Sequence, residues 1–364
     1  MNDCTRNAGP NGSGRVRIVH EIESRSVTGE GNSQDRVETD EDRQAAPWPS
    51  TLQSKERHVR VTAKSIEFME VGPRDGLQNE KTIISTQDKL ELIARAIDAG
   101  ARRIEVTSFV NPRRVPQMAD AAEVCAGLPE ADGVIYTGLV LNAKGGERAI
   151  ATGRIHELGA VCVASDRFAI ANQGQTSMES VEAAKGLVAM AKDAGLRGQA
   201  TIGAAFGCPF EGEIAEDHVI AMARALAEAD PVEITLADTI GVADPAHVSR
   251  LVTAVGEAIG PIPVRVHFHN TRGTGVANVW AAVEAGARVV DAALGGLGGC
   301  PFAPGAAGNV ASEDVVYMLH RAGVETGMDL EKLVAANAWL SGVMDRTLPS
   351  MVARAPAFPM QQQA

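Results

Sequence analysis

Short apolar runs alternate with longer, helix-like segments along most of the chain, from about residue 61 to residue 345. Each run is five to eight residues long and rich in Val, Ile, Leu and Ala, as is typical of a strand buried on both faces of a parallel sheet. We therefore predict eight strands, at residues 66–71, 103–107, 134–141, 160–164, 199–205, 232–237, 264–269 and 289–294.

The segments between these runs have apolar residues at helical spacing. Two junctions from helix to strand, at residues 98–102 and 284–288, are almost identical. Each contains a glycine, Gly100 or Gly286, that is able to end a helix in the left-handed conformation. Such repetition is typical of consecutive βα units. The pattern predicts helices at residues 86–99, 115–126, 145–151, 177–194, 214–229, 245–259 and 275–285.

Eight consecutive βα units favour a closed (β/α)8 barrel, the TIM-barrel type of α/β fold, over an open doubly wound sheet. No Gly-x-Gly-x-x-Gly motif follows the first strand, which argues against a dinucleotide-binding sheet. Two extra C-terminal helices, at residues 312–322 and 330–344, are predicted to close and cap the outer ring.

The two ends of the chain differ from this body in composition. Residues 1–60 are polar and have no periodic apolar pattern, so a disordered N-terminal extension is predicted. They contain no apolar stretch typical of a secretory signal, and their acidic residues argue against a mitochondrial transit peptide. Residues 346–364, with three prolines and three glutamines, are predicted to form a flexible tail. Between these two ends we predict a single barrel domain, at residues 61–345.

Composition narrows the range of functions. The 364-residue chain is 45% hydrophobic but only 4% aromatic, so small aliphatic residues dominate its packing. A formal net charge of −12, with no basic stretch among aromatics, argues against a nucleic-acid partner. No apolar run is long enough to cross a bilayer, so we expect no membrane association. The five cysteines are scattered and odd in number, which favours a reducing compartment, the cytoplasm.

A pair of histidines stands at the end of the seventh predicted strand. His267 and His269 share one face of that strand, while Phe268 takes the other. Most isolated His-x-His pairs are ordinary surface or core residues, but two imidazoles on one side of a rigid strand also suit a divalent metal. In (β/α)8 barrels the chemistry gathers at the carboxyl ends of the strands, where this pair lies.

Polar residues also stand at other strand ends. Arg74 and Asp75 lie in a Gly-Pro turn after the first strand, where a local salt bridge is the alternative. Glu105 lies inside the second strand, and a buried carboxylate there requires a partner. Asp238 ends the sixth strand, with a turn or helix cap as the alternative. Asn142 follows the third strand.

Cys300 lies in a glycine-rich loop after the eighth strand. A lone cysteine is more often a small buried hydrophobe than a catalyst. A thiol on a mobile loop over a barrel mouth nevertheless favours a functional role. The other four cysteines are predicted to be structural.

One carboxylate and two imidazoles, from Asp75, His267 and His269, suit Mg²⁺ or Mn²⁺, with Zn²⁺ as an alternative. A metal at this site would lower the pKa of a substrate hydroxyl. Arg74 could stabilise an enolate or carboxylate oxygen, and the Cys300 thiol could move a proton. We interpret this set as suited to retro-aldol or retro-Claisen cleavage of a carbon–carbon bond, or to the reverse condensation.

Over roughly residues 66–345 the chain resembles the 3-hydroxy-3-methylglutaryl-CoA lyase family. The Arg-Asp-Gly and His-x-His pieces are shared with isopropylmalate and homocitrate synthases, whereas the Gly-Gly-Cys-Pro loop separates the lyases from them. The most specific stretches are residues 71–80 (Val-Gly-Pro-Arg-Asp-Gly-Leu-Gln-Asn-Glu), 105–109 (Glu-Val-Thr-Ser-Phe) and 298–309 (Gly-Gly-Cys-Pro-Phe-Ala-Pro-Gly-Ala-Ala-Gly-Asn).

This resemblance implies a metal-dependent enzyme that splits a 3-hydroxy-3-methylglutaryl thioester into acetyl-CoA and acetoacetate, usually in leucine catabolism. We also expect a homo-oligomer, a dimer. By position, Arg74 would stabilise the acetyl-CoA enolate and Cys300 would assist proton transfer, with His267 as a further proton shuttle. Glu105 and Asp238 match other residues tied to activity. The implied metal ligands are Asp75, His267, His269 and Asn309.

Two positions depart from the family pattern. Asn270 stands where an acidic residue usually follows the second histidine, and Arg272 stands where the animal enzymes have tyrosine. The acyl group therefore stays open, with a citramalyl-CoA or longer-chain 3-hydroxy-3-methylacyl-CoA lyase as an alternative. A synthase condensing acetyl-CoA with a 2-oxo acid is less favoured. A catalytically silent barrel retained as an interaction protein is least favoured.

Overall fold

A computed structural model describes residues 63–300 and 303–358, and the predicted extension at residues 1–60 lies outside the described residues. Eight parallel strands close into a barrel in chain order, and the last strand pairs with the first. The predicted TIM barrel is therefore confirmed. Its strands are β1 (Glu67–Glu70), β2 (Arg103–Ser108), β3 (Ile135–Val140), β4 (Glu157–Val163), β5 (Arg197–Gly203), β6 (Ile234–Asp238), β7 (Val264–Phe268) and β8 (Val289–Ala292), followed by the antiparallel pair β9 (Gly299–Cys300) and β10 (Ala303–Ala307).

Helices alternate with the strands, and local capping explains several of their starts. Thr176 and Glu179 form a reciprocal capping box, and Asp244 caps the helix that begins at Pro245. In the described part of the chain, no helix is long and apolar enough to cross a membrane. The α-helices are α1 (Thr86–Asp98), α2 (Ala121–Gly127), α3 (Ala143–Ala151), α4 (Asp166–Gln173), α5 (Ser177–Asp193), α6 (Glu216–Ala227), α7 (Pro245–Ile259), α8 (Gly275–Glu284), α9 (Ser312–Arg321) and α10 (Leu330–Val343).

The main apolar core includes alternate residues of the strands and the buried faces of the helices. In β7, the side chains of Val264, Val266 and Phe268 belong to this core. Since successive residues of a strand point to opposite faces, Arg265 and His267 lie on the other face, inside the barrel. One face of β7 therefore packs in the apolar core, and the other face places polar side chains inside the barrel.

Part of the barrel interior is an ion network instead of an apolar layer. Arg103 Nη2 lies 2.8 Å from both oxygens of Glu157, and Arg103 Nη1 lies 2.8 Å from Glu233 Oε2. Arg265 Nη1 donates to Glu233 Oε1 at 3.1 Å. All four side chains are buried, and each charge has a partner of opposite sign, as burial requires.

This network explains why β4 begins earlier than predicted. The apolar pattern predicted a strand over residues 160–164, whereas β4 spans Glu157–Val163. Glu157 breaks the apolar pattern, but Arg103, Arg197 and the Thr137 hydroxyl satisfy its carboxylate inside the barrel. Its charge is therefore compatible with a buried strand position.

The helix predicted over residues 115–126 is shorter than expected, and one helix was missed. A 3₁₀ turn, Pro116–Met118, precedes α2, and the side chain of Gln117 accepts a hydrogen bond from the Ile84 amide at 3.0 Å. The missed helix, α4, has only eight residues, a length too short to show a clear apolar period. Ser165 caps its start and Gly174 ends it in the left-handed conformation.

The described part of the C-terminal segment is anchored, unlike the flexible tail expected for residues 346–364. Asp314 on α9 accepts hydrogen bonds from the Ser350 hydroxyl at 3.0 Å and from the Val352 amide at 2.8 Å. The Ser350 amide donates to the Gly295 carbonyl at 3.1 Å, and Leu348 is buried. This segment therefore supports the loop that follows β8.

We predict that Leu348→Ala lowers the free energy of unfolding by about 2–5 kcal/mol, because it opens a cavity against the backbone of Gly295. Urea denaturation of the full chain, followed by circular dichroism, measures this change. The control is Met351→Ala, since Met351 is 66% exposed and its loss should cost under about 0.5 kcal/mol. Equal effects of the two substitutions would show that the segment is not anchored through Leu348.

Candidate metal centre and active site

A π-helical turn, Gly72–Gly76, directly follows β1 and carries two of the predicted site residues. The amide of Gly76 donates to the carbonyl of Val71 at 3.1 Å, five residues back, which makes this turn wider than an α-helical turn. Turns of this kind are frequent at functional sites. The turn places Arg74 and Asp75 beside residues of β2 and β7.

The guanidinium group of Arg74 bridges two carboxylates. Its Nη1 lies 2.5 Å from Asp75 Oδ1, and its Nη2 lies 2.6 Å from Glu105 Oε2. Burial lowers the pKa of Arg74, but the two carboxylates outweigh burial and raise it above its ordinary value. Its Nε–H is also buried and has no hydrogen-bond partner among the described residues. One donor of this charged group is thus left without an acceptor by the described protein groups.

Asp75, His267 and His269 form a compact cluster at the carboxyl end of β7. His267 Nε2 and His269 Nε2 lie 3.8 Å and 3.7 Å from Asp75 Oδ2. One ligand atom from each residue falls within 4.8 Å of the others, a separation that a single cation can bridge. Burial alone would raise the pKa of Asp75, but Arg74 and the two imidazoles hold that pKa well below its usual range. The donor set therefore fits a divalent cation.

Asn309 joins this cluster from the segment beyond β10. Its Nδ2 donates to Asp75 Oδ2 at 2.9 Å and to the Leu297 carbonyl at 3.0 Å. Two glycines permit this approach, since Gly298 has a φ of 95° and a Cβ at Gly308 would lie 1.4 Å from the Gly298 carbonyl oxygen. The structure thus brings together all four residues that the sequence predicted as metal ligands.

Two other polar residues expected at the barrel mouth bond within their own loops. Asp238 accepts hydrogen bonds from the amides of Val242 at 2.9 Å and Ala243 at 3.0 Å, and burial raises its pKa. Asn142 accepts from the Gly145 amide at 3.0 Å and caps α3. For Asn142 the structure shows a helix cap. The Asp238 contacts position a loop, and its link to activity stays a prediction.

The two residues that depart from the family pattern shape neighbouring loops. Asn270 Oδ1 accepts from the Gly275 amide at 3.0 Å, at the start of α8. Arg272 Nη1 donates to the carbonyls of Ile240 at 2.8 Å and Gly241 at 2.9 Å. Both side chains therefore hold backbone beside the histidines, and Asn270 does so without a charge.

Cys300 ends β9, but its side chain lies outside the described part of the structure. Its role in proton transfer therefore stays a prediction. Three other cysteines are buried and form no disulfide with one another: Cys125, Cys162 and Cys208. Burial raises the pKa of Cys125 to about 11 and that of Cys162 to about 12. These values agree with the structural role predicted for both, because an inert thiol stays protonated.

Buried carboxylates that sequence reasoning missed anchor the loop after β8. Glu70 Oε1 accepts from the Leu294 amide and from the turn after β1, both at 2.8 Å. The Glu313 oxygens accept from the Gly295 amide at 3.0 and 3.1 Å. Burial raises the pKa of Glu70 to about 7 and that of Glu313 to about 8. A carboxylate among apolar residues, the signal that identified Glu105, could have identified Glu70.

A second missed group lies behind His267. His267 Nδ1 is 3.0 Å from Asp291 Oδ2, and Arg265 binds both oxygens of Asp291, with Nε at 2.5 Å and Nη2 at 2.8 Å. Burial alone would raise the pKa of Asp291, but Arg265 and the hydrogen bond from His267 outweigh it and lower that pKa. The signal that could have led to this group was the charge of Arg265, which lies on the same face of β7 as His267. The sequence was instead interpreted as an apolar run over residues 264–266.

The fold and this site define a class of protein: a (β/α)8-barrel enzyme with a candidate metal centre at the carboxyl ends of its strands. The family model described as HMGL-like matches residues 65–339. The chain belongs to this family, that of the hydroxymethylglutaryl-CoA lyases, and is a lyase.

Individual relatives agree with this assignment. An (R)-citramalyl-CoA lyase from Chloroflexus aurantiacus is 44% identical over 81% of this chain and 96% of its own length. A hydroxymethylglutaryl-CoA lyase from Bacillus subtilis is 40% identical over 79% of this chain and 96% of its own length. The structure of an HMG-CoA lyase from Acinetobacter baumannii, in complex with coenzyme A and 3-methylmalate, matches with a TM-score of 0.78 and 40% identity, over 83% of this chain and 99% of that chain. The resemblance and the enzyme class predicted from sequence are confirmed.

Proposed function

We propose that this lyase uses a divalent metal to cleave 3-hydroxy-3-methylglutaryl-CoA, or a close 3-hydroxyacyl-CoA, into acetyl-CoA and a keto acid such as acetoacetate. The observation that carries this proposal is the juxtaposition of the Asp75, His267 and His269 cluster with the available Nε–H of Arg74. The first group suits a cation, and the second suits a developing oxyanion. Relatives named for two acyl-CoA substrates and one solved with coenzyme A support the thioester class.

Asp75, His267, His269 and Asn309 are proposed to hold the metal, with Mg²⁺ or Mn²⁺ favoured by the mixed oxygen and imidazole donors. A divalent cation in this place supplies Lewis acidity to the hydroxyl and carbonyl oxygens of the substrate. Asn309 would contribute its amide oxygen, since its nitrogen already donates to Asp75 and to the Leu297 carbonyl.

Arg74 is proposed to stabilise the enolate that forms when the bond breaks. The substrate hydroxyl loses its proton, the bond between C2 and C3 breaks, and its electron pair forms the enolate of acetyl-CoA while C3 becomes a ketone. Proton addition to the enolate carbon completes acetyl-CoA. The guanidinium is already fixed by Asp75 and Glu105, so its free Nε–H is directed before the oxyanion develops.

Cys300 is proposed to move a proton in this sequence. His267, the second candidate from the sequence, is less suited to this role, because its Nδ1 is bonded to Asp291 and its Nε2 faces the proposed metal site. Asp238 is proposed to contribute through the loop that its carboxylate holds. A homodimer, a cytoplasmic location and a role in leucine catabolism stay predictions from the sequence.

The acyl group is a second question, with (R)-citramalyl-CoA as the specific alternative. The Chloroflexus relative named for that substrate is 44% identical, against 40% for the Bacillus hydroxymethylglutaryl-CoA lyase. The two substrates share a 3-hydroxy-3-methyl centre and a terminal carboxylate, so the same metal and arginine chemistry serves both. A synthase that condenses acetyl-CoA with a 2-oxo acid is less favoured.

A cleavage assay tests the proposed function. The purified chain is incubated with Mg²⁺ or Mn²⁺ and each of several 3-hydroxyacyl-CoA thioesters, including 3-hydroxy-3-methylglutaryl-CoA and (R)-citramalyl-CoA, while acetyl-CoA and keto acid are measured. We expect both products in equal amounts and a loss of activity after chelation that added metal reverses. Release of free CoA from acetyl-CoA plus a 2-oxo acid, with no thioester cleaved, would establish the synthase instead.

A further inference from the structure

The imidazole of His267 has two different environments on its two nitrogens. Nε2 faces the metal cluster, 3.8 Å from Asp75 Oδ2, while Nδ1 faces away from it and lies 3.0 Å from Asp291 Oδ2. The carboxylate of Asp291 is ionised, because Arg265 binds both of its oxygens, and an ionised carboxylate can only accept. Nδ1–H therefore donates to Asp291, which leaves Nε2 as the ring nitrogen on the side of the cluster.

Asp291 is itself held rigidly. Two parallel hydrogen bonds from Arg265 fix the plane of its carboxylate, a geometry that a single ammonium group cannot reproduce. The remaining Nη1 of Arg265 donates to Glu233 at 3.1 Å, and Glu233 in turn binds Arg103. All four charged side chains are buried, so the orientation of His267 rests on an ion chain that solvent does not screen.

We propose that Asp291, clamped by Arg265, is a positioning residue that holds His267 in the tautomer and ring orientation required for metal binding. The inference rests on the metal site of the proposed function and goes beyond it, because neither Asp291 nor Arg265 is among the proposed metal ligands. The inner-barrel network is then a support for the metal centre as well as a source of stability. Outer partners of this kind commonly change metal affinity by about 10- to 100-fold.

Asp291→Asn tests the proposal, because the amide keeps the size of the carboxylate and removes its charge. Free Mn²⁺ is titrated by electron paramagnetic resonance on the full-length protein without substrate. We expect Mn²⁺ affinity to fall by about 10- to 100-fold, and the fall in kcat to be largely recovered at saturating Mn²⁺. Arg265→Lys provides a second variant, with a smaller loss of affinity, in case Asp291→Asn does not fold.

Arg197→Gln is the matched control. Arg197 binds Glu157 at 2.9 Å at the far end of the same network, and its side chain is 40% exposed. We expect this variant to lower the thermal midpoint while leaving Mn²⁺ affinity unchanged. A purely structural role for the Asp291 and Arg265 pair predicts the same outcome in their variants, namely lower stability with unaltered Mn²⁺ affinity, and that result would overturn the proposal.

The failures of the two proposals are distinguishable in this experiment. If the wild-type chain binds no Mn²⁺, the metal site of the proposed function fails, and the positioning role fails with it. If the wild-type chain binds Mn²⁺ and every folded variant binds it equally well, only the positioning role is wrong.

Discussion

Arg74→Met should reduce kcat for thioester cleavage by about 10²- to 10³-fold, the usual effect of removing one preorganised donor to an oxyanion. Arg74 supplies the one charged donor we assign to the enolate, and its Nε–H has no competing partner among residues 63–300 and 303–358. Metal affinity should fall less than kcat, because Asp75 remains beside both imidazoles when Arg74 is lost. Cleavage kinetics at saturating Mg²⁺ and a Mn²⁺ titration measure the two quantities separately.

Stability complicates this variant, since Asp75 and Glu105 lose their shared partner and removal of one partner from a buried ion pair costs about 3–5 kcal/mol. Arg74→Lys retains the charge and separates the two effects. It should fold nearly as well as the wild type and still lose most of kcat, because one ammonium cannot bridge two carboxylates and serve an oxyanion. Arg250→Met is the control for the replacement of an arginine by methionine, because Arg250 forms its ion pair on the protein surface. A normal kcat in Arg74→Lys would contradict the proposed role.

The barrel could be predicted because burial on both sides of a parallel strand leaves a continuous apolar run. The prediction was weakest where a strand begins with a charge. β4 starts at Glu157 and β5 at Arg197, yet each was predicted to start later, because a single sequence does not show that these two side chains pair with each other between neighbouring strands. Partners 40 residues apart in the chain become visible only in three dimensions.

The site could be predicted as far as residue type and strand position define it. Asp75, His267 and His269 meet as expected, since the fold places strand ends at one rim. Asn142, noted only for its position after the third strand, caps the next helix, a role to which an asparagine in that place is well suited. The missed groups, Asp291 and Glu313, act on other protein groups and not on a ligand, so no motif singles them out.

The loop after β8 shows how these missed groups contribute. Glu70 links the turn that carries Arg74 to the amide of Leu294, and Glu313 binds the next amide, that of Gly295. The turn after β1 and the loop after β8 are thus connected through the buried carboxylate of Glu70. The start of this loop and the turn that carries Arg74 are therefore held by buried carboxylates.

His269→Ala and Cys300→Ser should both reduce cleavage, but for different reasons. His269 is a proposed ligand whose Nε2 lies 3.7 Å from Asp75 Oδ2, so its loss should weaken Mn²⁺ binding at least as much as the loss of an outer partner, about 10- to 100-fold. Raising the metal concentration should then restore part of the activity. Cys300 is proposed to move a proton, so Cys300→Ser should lower turnover by about 10²- to 10⁴-fold with unchanged Mn²⁺ affinity.

The dependence on metal concentration decides between these roles, because saturation compensates for lost affinity but not for a lost proton donor or acceptor. Turnover of each variant is therefore measured across a Mg²⁺ series, beside a substrate-free Mn²⁺ titration. If Cys300→Ser cleaves as fast as the wild type, the thiol has no part in proton transfer. If His269→Ala binds Mn²⁺ as tightly as the wild type, the pair of histidines on β7 does not bind the metal as a unit, and Asp75 and His267 alone would have to hold it.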